Sequence, residues 1–216
     1  MLTLFGNLES GNVHKVQLIL RRLGAEYRRV EVSQVRGEPR RPEFLTLNPM
    51  GKVPAVRLED GDVLSESGAL LYWFGRGTEL WPANERTRAE VLRWMFFEQY
   101  SHEPALAVLR YLRRFTAPSE AAAARCIELE PKAKHVLGVL ETQLSQSRCI
   151  AGPDCSIADL ALYPYTKWAP QAGFDLGPYA QIQRWLALVE EQPEFLPLGQ
   201  DGAAQVLSFD EYFGVV

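Results

Sequence analysis

Three short stretches carry side chains whose types and positions suit chemistry. Ser10-Gly11-Asn12 stands between an apolar strand-like run and an amphipathic helix, placing a hydroxyl and an amide at a helix N-terminus. Ser and Asn are common helix caps, and the same position favours a negative charge through the aligned backbone dipoles. Ser65-Glu66-Ser67-Gly68 repeats the arrangement ahead of a second apolar helix. There, too, a cap and a receptor for a carboxylate are compatible readings, because first-turn N–H groups lack helical partners. Between the two lies Val53-Pro54-Ala55-Val56. Proline donates no ladder hydrogen bond and belongs at a strand's head, edge or bulge. A cis Val53–Pro54 bond there turns the Val53 backbone groups outward.

Other chemistries find little support. The histidines His14, His102 and His135 are too far apart in sequence to form a ligand cluster by spacing, and no phosphate loop or nucleophile-histidine-acid signature occurs. No metal is expected. Three cysteines, Cys126, Cys149 and Cys155, include no CxxC pair and read as reduced structural thiols. A net charge of −4 argues against a nucleic-acid partner. A secretory leader is not expected, since Asn7, Glu9, His14 and Lys15 interrupt any apolar run near the start. With no span of membrane length either, the expected location is the cytoplasm, away from membranes.

The elements that must position these residues follow from periodicity. Leu2 to Phe5 and Tyr27 to Val32 read as strands, with Val13, Val16, Ile19, Leu20 and Leu23 at helical spacing between them and Gly24 as a stop. That is a β-α-β unit with parallel strands. A short helix over Pro42 to Leu45 follows. Val53 to Leu58 and Val63-Leu64 then form an antiparallel hairpin around Asp60-Gly61, and a helix runs from Glu66 to about Gly75. Beyond Gly77 the strand alternation gives way to amphipathic helices at roughly 86–115, 119–145, 156–168 and 178–192. The expected organisation is an α/β domain over 1–78, of order β-α-β-α-β-β-α, and an all-helical domain over 85–216.

A β-α-β unit followed by a proline-headed hairpin resembles the thioredoxin fold. Asn48-Pro49-Met50-Gly51-Lys52-Val53-Pro54, with Glu66-Ser67 after the hairpin, resembles the glutathione site of the cytosolic glutathione transferases. Ser156-Ile157-Ala158-Asp159 is similar to that family's capping box, so the likeness spans nearly the whole chain. It implies that Val53 pairs its backbone with the cysteinyl part of glutathione beside Pro54. It implies further that Glu66 and Ser67 hold the γ-glutamyl end and that Lys52 lies near the glycyl end. Where relatives place His or Gln for the glycyl carboxylate this chain has Pro39, so Arg40 is expected to substitute with a fork-shaped donor.

The first strand is followed by neither a tyrosine nor a cysteine. Ser10 and Asn12 therefore match the Ser/Thr-type pattern and also the bacterial disulfide-reductase-like branch. The implied activity is a glutathione transferase joining the glutathione thiolate to a small electrophilic, hydrophobic acceptor in detoxification. Glutathione is then the co-substrate and a homodimer the implied assembly. Among the aromatic residues of the first long helix and a later one, Tyr100, His102, Tyr165 and Trp168 are the expected acceptor-pocket residues. Two alternatives stand beside this reading: a glutathione-dependent disulfide reductase, and a non-catalytic binding module on the same fold. The acceptor itself is not legible, because such pockets are built from interchangeable apolar residues.

Overall fold

The structure is a computed structural model that describes residues 1–215. The chain divides into two compact units: Met1–Phe74 together with the segment from Pro193 onward, and Gly75–Gln192.

The first unit is built on β1 (Leu2–Phe5), β2 (Tyr27–Val30), β3 (Ala55–Arg57) and β4 (Val63–Ser65), with α1 (Gly11–Arg22), α2 (Pro42–Leu45) and α3 (Ser67–Gly75). β1 pairs in parallel with β2 and antiparallel with β3, and β3 pairs antiparallel with β4. This is the β-α-β-α-β-β-α order read from the sequence. Val13, Val16 and Leu20 of α1 join Leu4, Phe5, Val30, Val56, Leu70 and Phe44 in one core. Each such side chain contributes about 1.5–3 kcal/mol on full burial, so the periodic stripe of α1 is what fastens it to the sheet.

The boundary expected at 85–216 is corrected by the chain's end. A fifth strand, β5 (Gln205–Leu207), pairs in parallel with β2, giving the order β4-β3-β1-β2-β5. It is followed by α9 (Phe209–Phe213), closed by a Ser208–Glu211 capping box. Phe209 is buried, and Tyr212 meets Phe5 edge-to-face at 5.1 Å. Arg29, itself buried, bonds Asp201 at 2.7 Å, Glu31 and the Gly6 carbonyl, which fastens the returning segment to the sheet. Removing one member of such a buried network is strongly destabilising, by about 3–5 kcal/mol.

The second unit holds α4 (Glu85–Phe97), α5 (Glu103–Phe115), α6 (Glu120–Gln146), α7 (Ile157–Lys167) and α8 (Ala180–Glu190). The helix expected over 86–115 is interrupted by a π-helical turn at Glu98–His102, where the Glu103 N–H reaches back to the Glu98 carbonyl. Pro104 supplies the reason. It has no N–H to offer the Tyr100 carbonyl, and its ring would clash there, so the turn widens. Asp159 organises the start of α7. Its carboxylate accepts from the N–H groups of Ile150 and Ser156, the Ser156 hydroxyl and the Trp185 indole N–H, at 2.8–3.1 Å. The expected capping box with Ser156 is present. No helix among the described residues is long and apolar enough to cross a membrane.

His14 lies on α1 at 1% exposure, and burial pushes its pKa from 6.5 down to about 4, against a backbone hydrogen bond at Leu196. A depressed folded pKa means the unfolded chain takes up this proton first as pH falls. The contribution is present above pH 6.5 and is lost as pH falls towards 4. At ~1.36 kcal/mol per unit the loss reaches about 3 kcal/mol. Urea unfolding between about pH 7 and 4 should show this slope, and His14→Gln should remove it. Equal slopes in the two proteins would contradict a neutral, buried His14.

Candidate active site

The residues singled out in the first unit gather at the carboxyl ends of β1 and β2. β1 turns into α1 through Gly6 to Ser10. Gly6 donates to the Val30 carbonyl at 3.0 Å, and a Cβ there would lie 2.3 Å from a Val13 methyl. Only glycine permits so tight a strand-to-helix turn. Asn7 then pins the loop: its amide donates to the Val32 carbonyl at 2.9 Å and its Oδ1 accepts from the Glu9 N–H at 3.1 Å. Ser10 is the N-cap of α1, its Oγ accepting from the Val13 N–H at 3.3 Å. Accepting that bond leaves its O–H proton available to donate. The first turn of α1 carries no acidic side chain, so the positive helix end is not neutralised from within.

α3 starts at the same end of the sheet. Ala55 faces Ser65 in the hairpin register, and Phe5 faces Ala55. Val53, two residues before Ala55, therefore leads into β3 at this same end of the sheet. Between β4 and α3, Glu66 adopts φ 66°, a left-handed conformation unusual for a residue with a Cβ. Holding it there costs roughly 1–2 kcal/mol, and its effect is to swing the chain directly from strand into helix. Ser67 thereby enters the first turn of α3, nearly buried, with its hydroxyl donating to Asn12 Oδ1 at 3.4 Å. The N-termini of α1 and α3 therefore meet. Like α1, α3 has no acidic residue in its first turn, while the Glu66 side chain just before it is exposed.

The third component is the loop before β3. The Val53–Pro54 peptide is cis, and both residues are buried. Asn48 holds the approach, its Nδ2 donating to the Lys52 carbonyl at 2.8 Å and its Oδ1 accepting from the Met50 N–H at 3.3 Å. Gly51 has φ 58°, and a Cβ there would meet the Pro39 carbonyl at 2.8 Å and the Arg40 guanidinium at 3.0 Å. Arg40 thus lies against the residue before Lys52, and the two exposed cations flank one loop.

The aromatic residues of the second unit fare differently. His102 is fully buried, and its Nε2 meets Thr166 Oγ1 at 2.9 Å, while that hydroxyl donates to the Leu162 carbonyl at 2.7 Å. His102 is thus a polar residue of the unit's core, with its ring engaged by Thr166. Tyr165 and Trp168 are packed together inside the unit, with the Arg110 guanidinium 3.8 Å above the Trp168 ring. Tyr100, at 88% exposure, is the reachable one of the four.

Residues 9–76 match the family model for the glutathione S-transferase N-terminal domain, and residues 100–193 the model for the C-terminal domain. A glutathione S-transferase structure from Pseudomonas fluorescens superposes with a TM-score of 0.88 at 39% identity, over 91% of this chain and 98% of the other. The chain belongs to the glutathione S-transferase family. It is also similar to the disulfide-bond oxidoreductase YfcG of Escherichia coli, at 29% identity over 84% of this chain and 87% of that protein. Yeast Ure2p in complex with glutathione shares the fold with a TM-score of 0.78 at 25% identity, covering 89% of this chain and 90% of that one.

Asn7, which braces the β1–α1 turn, and the left-handed Glu66 were not evident from residue type. A polar side chain directly after a buried strand was the available signal for the first. Nothing in residue type marks the second. The close turn makes a direct test: Gly6→Ala should destabilise the protein by about 1–3 kcal/mol through overpacking on Val13. Unchanged stability in urea unfolding would show that strand and helix do not approach this closely.

Proposed function

We propose that this member of the glutathione S-transferase family is a glutathione transferase, carrying the glutathione thiolate to a small electrophilic acceptor. The observation that carries this reading is the meeting of two helix N-termini at Ser67 and Asn12, 3.4 Å apart, at the sheet end where Val53 precedes its cis-proline. The γ-glutamyl carboxylate is assigned to the Ser67 hydroxyl and the first N–H groups of α3, and its ammonium to Glu66. The Val53 backbone takes the cysteinyl part. Arg40 and Lys52 take the glycyl carboxylate, in keeping with their shared place beside Gly51. The sulfur then falls to the N-terminus of α1, where the Ser10 O–H can donate to it. No reactive cysteine of the chain is required. In the second unit the exposed Tyr100 is assigned to acceptor contact, and the working assembly to a homodimer.

Magnitudes decide which group activates the thiol. A free thiol has a pKa near ~8.5, and the thiolate is the nucleophile. The helix dipole contributes about 0.3–1 kcal/mol. A hydroxyl bonded to an ion contributes about 1.5–3 kcal/mol. Ser10 therefore outweighs the dipole and depresses the thiol pKa by about one to two units.

A second reading is favoured by Asn12, whose amide oxygen already reaches Ser67, and by the likeness to YfcG. In it Asn12 orients the sulfur and the reaction is reduction of a glutathione mixed disulfide. Parallel assays of conjugation to an activated haloarene and of mixed-disulfide reduction separate the two.

Ser67→Ala should weaken glutathione binding about tenfold or more in calorimetry, the loss of a hydrogen bond to a charged group. Full affinity in a folded variant would remove the γ-glutamyl assignment. Ser10→Ala should raise the acid limb of the kcat/KM profile by about one to two pH units, in addition to the stability lost with its cap. A larger shift in Asn12→Ala transfers the role to Asn12 and favours the reductase.

A further inference from the structure

The second unit holds a pair of thiols that the proposed chemistry does not use. Cys149 and Cys155 lie six positions apart, and their sulfurs approach to 2.9 Å. The loop between them is held on several sides. Cys149 N–H donates to the Gly152 carbonyl at 2.9 Å and the Ser147 hydroxyl donates to the same carbonyl at 2.8 Å. Gln143 Nε2 bonds the Ile150 carbonyl, while the Ile150 N–H is taken by Asp159. The closeness of the sulfurs is therefore built into the turn.

Together with Asp159 these thiols also present three possible metal ligands within 4.8 Å of one another. The carboxylate argues against that use. Both its oxygens already accept two hydrogen bonds each, and a metal would strip buried donors of their partner.

We propose that Cys149 and Cys155 are a reversible dithiol–disulfide pair, oxidised by small-molecule disulfides such as glutathione disulfide. Cys155 is half-buried and Cys149 is 1% exposed, so Cys155 meets the oxidant. The hydrogen bond shared with Cys155 and burial push the Cys149 thiol up, which keeps it protonated until it reacts. In the first step the Cys155 thiolate attacks one sulfur of the small disulfide. Its S–S bond breaks, a mixed disulfide forms and one thiolate leaves. Cys149 then attacks Cys155 Sγ, giving its proton to solvent, and expels the second thiolate. The protein loses two electrons and two protons, and the small disulfide takes them up to become two thiols. The product bridges the seven-residue loop that leads into Ser156 and the Asp159 hub, so oxidation staples the start of α7. This inference does not rest on the proposed transferase activity.

The test equilibrates the full-length chain in buffers of reduced and oxidised glutathione, alkylates the free thiols and reads them by peptide mass spectrometry. Expected is a species with Cys126 alkylated, Cys149 and Cys155 protected and two hydrogens missing. It should melt several degrees above the reduced protein. Cys149→Ser should stop at one glutathione on Cys155, whereas Cys155→Ser should stay unmodified. The same bridge formed with hydroxyethyl disulfide shows independence from any glutathione site. Alkylation of all three thiols at every ratio, or a persistent mixed disulfide on Cys155 in the parent protein, overturns the proposal. Stoichiometric zinc that protects both thiols does so too.

Discussion

Two helices begin at one end of one sheet, and their first-turn N–H groups have no carbonyl of their own helix to bond. Neither first turn carries an acidic side chain, so two positive helix ends are brought together at Asn12 and Ser67. That arrangement costs free energy unless an anion or water shares it. The surrounding backbone holds it in place. Gly6 lets α1 start tight against β1, and Glu66 takes a left-handed turn so that α3 starts without a linker. Local strain of this kind persists only where the surrounding structure over-determines it. Here the hairpin ladder and the Asn48 brackets supply the constraint.

The second unit solves a different problem, that of seating helices around a buried charge. Asp159 is completely enclosed, and burial raises its pKa against the hydrogen bonds that oppose the shift. Its partners come from three places in the chain: the loop before α7, the cap of α7, and Trp185 on α8. A local capping motif thus doubles as a long-range anchor. The dithiol loop sits on the same anchor, so a change in its covalent state would be felt where α7 begins.

Much of this was legible in the residues. The stripe on α1, the Asp60-Gly61 turn and the Ser156–Asp159 box each have one strong local cause, and each element appears where that cause predicts. What was not legible lacked a local cause. β5 is an exposed edge of three residues with little apolar alternation, so only pairing with β2 defines it. The break before α5 depends on one proline acting four residues upstream. His102 sits among aromatic residues at helical spacing, a pattern that looks the same whether it faces a ligand or Thr166. Cys149 and Cys155 meet because a turn folds back between them, which a count of spacings cannot reveal. Of the site, the types of Ser10, Asn12, Val53, Glu66 and Ser67 pointed to one ligand class through a family resemblance. Asn7 and the conformation of Glu66 emerged only with the fold.

The central claim is that the joined helix ends and the Val53 backbone form one receptor for glutathione. A crystal structure of the protein with glutathione tests it most directly. The account predicts the γ-glutamyl carboxylate on Ser67 and the first N–H groups of α3, the cysteinyl backbone paired with Val53, and the sulfur within hydrogen-bond reach of the Ser10 hydroxyl. Glutathione bound away from the carboxyl end of the sheet, or in a mixed disulfide with a cysteine of the chain in place of this cradle, would contradict it.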